Sequence, residues 1–186
     1  MIRETKETRV EVLWRPEAGP IEVATVVGFL DHMLEQWAFH GGFTLSLKAE
    51  GDLRVDAHHT AEDAALALGE EVDAVLGSRE GLARFGWAYA PLEEALARAV
   101  VDLARRPSCA LRLLPLPPAL GQLPSEMVPH LLRSLASAGR FTLHLDVLAG
   151  ENGHHMVEAS FKALGLAFAQ ALRAKGTAAA STKGAL

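Results

Sequence analysis

Two stretches of the chain, HHTAEDAALALG from His58 and HHMVEASFKALG from His154, carry adjacent histidines followed at the same interval by a glutamate. Imidazole nitrogens and carboxylate oxygens together make ligand sets for divalent transition metals. At the start of a helix, residues four apart share a face, whereas adjacent residues diverge by about 100°. His58 with Glu62, and His154 with Glu158, can therefore converge on one ion each, while His59 and His155 must look elsewhere. His32 and His130 occupy equivalent places upstream and complete a set of six imidazoles and two carboxylates. The natural division is two metal sites, each drawing on more than one segment, with a contribution from a second chain left open. Such sets suit Mn, Fe, Co or Ni as well as Zn. The order His-x-x-x-Glu is not the His-Glu-x-x-His of a metalloprotease helix. His40 and His144 have no duplicate and read as surface histidines. Asp31, Asp56 and Asp63, beside the ligands, read either as partners that fix imidazole tautomers or as solvated surface.

The elements that must hold these residues are themselves repeated. Six of the twelve positions in the two His-His stretches are identical. Upstream, DHMLEQWAFHGGFTLSL lies against PHLLRSLASAGRFTLHL, and the interval from His32 to Phe43 equals that from His130 to Phe141. This self-similarity implies a duplicated supersecondary unit, with a join near the proline-rich PLPPALGQLP. In each copy an apolar pattern of helical spacing is followed by strand-like alternation in FTLSLKAEG or FTLHLDVLAG. An Ala/Leu-rich amphipathic helix then begins at His-His and is expected to close at Gly77 or Gly176. Ahead of the first copy ETRVEVLWR alternates as a strand. Ahead of the second, EEALARAVVDLA has a helical composition, yet its place in the repeat calls for a strand. The expected fold class is α+β, with residues 1–90 and 91–176 as the two halves and 177–186 as a C-terminal tail.

Composition bounds the function. The 186 residues are 49% hydrophobic and 22% charged, with a net charge of −5. That balance suits an ordinary globular chain and argues against a nucleic-acid surface. No apolar run approaches the ~20 residues of a membrane span, and the charged N-terminus is unlike a signal peptide, so a cytoplasmic protein with no membrane partner is expected. Cys109 has no partner for an internal disulfide and reads as a small buried hydrophobe.

The segments GFLDHMLEQWAFHGGF, GDLRVDAHHTAEDAALALGEEV, LARFGWAYAPLEEAL, GENGHHMVEASFKALGLAFAQALR and STKGAL together closely resemble the imidazoleglycerol-phosphate dehydratase family. The resemblance covers nearly the whole chain and is weakest at LARRPSC and the proline-rich segment. It implies two halves, each a four-stranded sheet backed by two helices, and trimers built into a 24-subunit shell. It also implies two manganese ions held by His32, His58, His59, Glu62, His130, His154, His155 and Glu158. On the family pattern the substrate-contacting positions fall on Glu7, Gln36, Arg84, Arg106, Ser181 and Lys183, with the tail closing over the site. Ala57 and Gly153 depart from the pattern, since the family usually has an aspartate before the first His-His and commonly an aspartate or serine before the second.

The reaction the resemblance implies is loss of water from imidazoleglycerol phosphate to give imidazole-acetol phosphate in histidine biosynthesis. The proton to be removed sits on a carbinol carbon that no carbonyl acidifies. A metal pair bound to the ring would favour the imidazolate, which can expel the hydroxyl to give a diazafulvene-like intermediate and so acidify the neighbouring C–H. Glu7 is the expected acid/base group. Arg84, Arg106, Ser181 and Lys183 are expected to hold the phosphate. The rivals are another metal-dependent lyase or hydrolase on the same frame and a non-catalytic metal-storage shell, which has no use for a phosphate clamp.

Overall fold

The computed structural model describes residues 1–176 and Ser181. The first half runs β1 (Ile2–Glu4), β2 (Thr8–Arg15), β3 (Ile21–Ala24), α1 (Gly28–Gly41), β4 (Thr44–Gly51) and α2 (His58–Leu76). The second half runs β5 (Phe85–Leu92), β6 (Ala95–Asp102), β7 (Ser108–Arg112), a short hairpin of β8 (Ala119–Leu120) and β9 (Leu123–Pro124), then α3 (Met127–Ala138), β10 (Thr142–Ala149) and α4 (Gly153–Ala171). The sheets have orders β1-β2-β4-β3 and β5-β6-β10-β7, the same topology twice. In both, the third strand lies parallel to the one that follows the first helix, and the other neighbours are antiparallel. This is the expected α+β class, with two helices on each four-stranded sheet.

Alternation decides the strands. Along β2, Thr8, Val10, Val12 and Trp14 are buried and the residues between them exposed. Along β6, Ala95, Ala97, Ala99 and Val101 are buried under α4, so the segment of helical composition is a strand as its place in the repeat required. Tertiary burial of one face overrides intrinsic propensity there.

The halves meet through their helices, and crosswise. α1 packs against α4 and α2 against α3. The duplicated Ala-Leu-Gly explains how closely. A β-carbon at Gly165 would lie 2.4 Å from the carbonyl oxygen of Trp37 on α1, and one at Gly69 would lie 2.8 Å from that of Leu135 on α3. Trp37, Phe43, Phe141 and Phe168 fill one contiguous core around these crossings. Arg79, whose side chain is fully buried, ties the halves further: it donates to the carbonyls of Leu103, Gly139 and Arg140 and pairs with Asp73 at 2.6 Å.

Three expectations need correction. The proline-rich segment is not the join: it forms the β8–β9 hairpin inside the second half, between β7 and α3. Nor does the boundary fall at 90/91, because β5 starts at Phe85 and pairs along its whole length with β6, leaving the join between Leu76 and Phe85. Finally, Gly77 follows α2 directly with φ 52°, but α4 ends at Ala171, before Gly176. Beyond it the backbone of Arg173 and Lys175 bonds to Ala83 and Gly81, so tertiary pairing, rather than a glycine cap, ends that helix.

Candidate active site

The first turns of α2 and α4 carry the paired histidines, and each start is fixed by a polar side chain. Asn152, the single asparagine, accepts from the N–H groups of His154 and His155, while Asp56 accepts from that of His58. The departure at Gly153 has a steric cause. A β-carbon there would stand 2.5 Å from Cδ of Pro117 in the proline-rich segment, so the two unusual features of the sequence fit one another.

Because the helices cross between halves, two clusters form, and each mixes the halves. His32 Nε2 lies 3.1 Å from Glu158 Oε2, and His154 Nε2 lies 3.0 Å from the same oxygen. His130 Nε2 lies 2.9 Å from Glu62 Oε1, and His58 Nε2 lies 3.7 Å from Glu62 Oε2. In each trio the ligand atoms fall within 4.8 Å of one another. His130 Nε2 is buried and, among the described residues, has no partner in hydrogen-bonding geometry despite its closeness to Glu62. A buried imidazole nitrogen without a hydrogen-bond partner suits a cation, and two imidazoles with a carboxylate in each trio fit a divalent transition metal.

His59 and His155 leave these trios. Their rings stand at 77° and 88° to those of His58 and His154. Each turns its Nδ1 to a glutamate in the hairpin turn of its own half: Glu7 between β1 and β2, at 3.4 Å, and Glu94 between β5 and β6, at 2.9 Å. Glu94 was not singled out from the sequence. Its signal is the repeat itself, since it occupies the turn that corresponds to Glu7.

The aspartates read either as steadying the imidazoles or as solvated surface instead bond to backbone and neighbouring side chains. Asp31 accepts from the Thr25 N–H and hydroxyl ahead of α1, Asp63 pairs with Arg3 and accepts from Thr8, and Asp56 accepts the His58 N–H at the start of α2. Each holds backbone or a neighbouring element in place, which side chains of this reach do readily near helix starts.

Lys162 was also missed. It lies four residues after Glu158, with its Nζ 2.8 Å from Glu158 Oε1, and that spacing was its signal. Burial pushes the Glu158 carboxyl up, but Lys162, His32 and His154 outweigh it and hold it at about 2. His40, eight residues along α1 from His32, is lowered by burial and secondarily by Lys162. Burial pushes the Cys109 thiol up to about 11, as expected of a packed, unreactive cysteine.

Of the remaining candidates, Gln36 is half-buried on α1 one turn from His32 and therefore on the same face. Arg84 is largely buried with φ 73°, its guanidinium held flat by Asp102 through bonds of 2.7 and 2.9 Å. Arg106 is exposed, and its carbonyl accepts from Thr142. Ser181 is half-buried, whereas Lys183 lies outside the described residues.

The imidazoleglycerol-phosphate dehydratase family profile matches residues 25–168. An imidazoleglycerol-phosphate dehydratase of Roseiflexus sp. strain RS-1 is 47% identical over 99% of this chain and 94% of its own length. One of Phytophthora nicotianae is 50% identical over 99% of this chain, which spans only 41% of that longer protein. Among solved structures, that of IGPD from Pyrococcus furiosus in complex with (S)-C348 superposes with a TM-score of 0.86 at 35% identity, covering both chains completely. The chain belongs to the imidazoleglycerol-phosphate dehydratase family.

Proposed function

We propose that the chain is a hydro-lyase of histidine biosynthesis that removes water from imidazoleglycerol phosphate to give imidazole-acetol phosphate, with two manganese ions per active site. The observation that carries this reading is the pair of crossed trios, His32/His154/Glu158 and His58/Glu62/His130, in a chain of this family. His59 and His155 would join the two trios in holding the ions, whose positive charge would favour the deprotonated form of the substrate ring.

The chain's own residues supply the rest. Glu7 sits on an exposed turn, its carboxylate 56% accessible and only loosely paired with His59, so it is free to take a proton from the substrate's carbon chain. Gln36, on the face of α1 that bears His32, is suited to a substrate hydroxyl. Arg84 presents a guanidinium oriented by Asp102, and with Arg106, Ser181 and Lys183 it suits a phosphate monoester. The tail of residues 177–186, which the family resemblance implies closes over the substrate, lies outside the described residues apart from Ser181.

These groups serve one substrate only if copies of the chain assemble. α4 carries His154 and His155 in its first turn, while the Arg84 N–H bonds the carbonyl of Ala171 in its last. Nineteen helical residues separate those ends by about 27 Å, more than a substrate of this size can span. The exposed aromatic row Phe85, Trp87 and Tyr89 along edge strand β5 also favours self-association, which we take to be trimers assembled into a 24-subunit particle. Among the described residues no helix is long and apolar enough to cross a membrane.

The deciding experiment is an assay for the acetol phosphate product with manganese-loaded protein beside a chelator-treated control, with particle size followed by light scattering. Product formed only by the loaded sample supports the reading. A fully loaded, assembled particle that forms none would overturn it.

A further inference from the structure

The two hairpin-turn glutamates differ in how they are held. Glu7 meets His59 at 3.4 Å. Glu94, on a turn whose preceding residue Glu93 has φ 48°, is fixed at both oxygens: Oε1 accepts the N–H of Asn152 at 2.9 Å and that of Glu151 at 3.3 Å, while Oε2 meets His155 Nδ1 at 2.9 Å. Only an acceptor can face the two backbone N–H groups. An ionised carboxylate has no proton to offer, so His155 must donate from Nδ1, leaving the lone pair on Nε2.

We propose that Glu94 is a positioning residue that locks His155 in the tautomer protonated at Nδ1, so that Nε2 is presented as a ligand to a divalent transition-metal ion. The proposal rests on the reading above that His155 is a ligand. It separates two glutamates that repeat symmetry would otherwise equate: Glu94 is anchored at both oxygens and holds an imidazole, whereas Glu7 is exposed and meets its own only at 3.4 Å. A carboxylate behind a ligating imidazole also raises the basicity of the opposite nitrogen.

The test turns on Glu94→Gln. Its amide oxygen must still face the Asn152 and Glu151 N–H groups, which turns the NH2 toward Nδ1 and drives the His155 proton to Nε2. Glu94→Ala removes the bond without supplying a donor. Glu94→Gln is therefore expected to weaken Mn2+ affinity about 10- to 100-fold, measured by competition with a chromogenic chelator, and Glu94→Ala to weaken it less. A merely structural role predicts the opposite order, with Ala the worse. Glu93→Gln, which removes a charge within 4.8 Å without touching that hydrogen bond, should stay close to the parent. In solid-state 15N spectra of sedimented, histidine-labelled, metal-free protein, Glu94→Gln should move one imidazole from Nδ1–H to Nε2–H. An unmoved resonance, or Ala worse than Gln, overturns the proposal. His155→Ala supplies the reference: unchanged affinity there would sink the ligand assignment beneath, whereas weakened binding in His155→Ala with parental binding in Glu94→Gln sinks only the positioning role.

Discussion

His32 and Glu158 are 126 residues apart, yet their Nε2 and Oε2 atoms lie 3.1 Å from each other, because α1 of one half packs on α4 of the other. The mirror relationship joins His130 to Glu62. Neither half holds a complete trio, so a single change in one half acts on the paired histidine of the other.

His130→Ala should therefore disable the His58/Glu62 cluster and leave His32/His154/Glu158 in place. Elemental analysis after saturation with Mn2+ and desalting should find metal falling toward half of the parent value, with His32→Ala behaving alike. Full metal in either variant would argue that the trios are not ligand sets.

Gly165→Ala should destabilise the fold, since its β-carbon would press on the Trp37 carbonyl at 2.4 Å, a backbone atom that cannot swing away. Overpacking of this kind costs roughly 1–3 kcal/mol or more. Denaturant midpoints should fall for Gly165→Ala and for Gly69→Ala. A midpoint equal to the parent's would mean that the helices part without cost.

Lys162, His32 and His154 hold the Glu158 carboxyl at about 2, below the ordinary glutamate value of 4.5. A depressed carboxyl contributes stability that is present above its unfolded value and lost as pH falls through the folded one. Chelator-treated protein should thus lose urea resistance between about pH 4.5 and pH 2, and Glu158→Gln should flatten that part of the profile. Parallel profiles for parent and variant would contradict the account.

Glu7→Gln should bind metal as the parent does while turning over roughly 100-fold or more slowly, the usual scale for a positioned proton-transfer group. Near-parental kcat would remove Glu7 from the chemistry. Set beside Glu94→Gln, the pair separates an effect on turnover from an effect on metal affinity at two turns related by the repeat.

Much of this was legible in the sequence because duplication filters out accident. Two His-His pairs at matched intervals gave the ligand candidates, and the 100° step between helical neighbours predicted that His59 and His155 would turn away from His58 and His154. The repeat also overruled the helical composition of β6. Other features were hidden because they depend on contacts between distant segments. Asp31, Asp56 and Asp63 lie beside histidines in sequence but bond backbone and neighbouring elements in space. Glu94 reaches His155 across 61 residues, and Gly153 yields to Pro117 only because a hairpin folds over the start of α4. The join was misplaced because proline richness marks a turn without saying which halves it separates.

The length of α4 carries a genetic consequence. With imidazoles in the first turn of a helix about 27 Å long and Arg84 bonded to its last residue, a substrate held by both, as proposed above, would have to lie between different copies of the chain. Co-expressed His154→Ala and Arg84→Ala chains, each inactive alone, should then restore part of the activity, because some mixed contacts unite two intact ends. Two alleles damaged at the same end should never rescue one another.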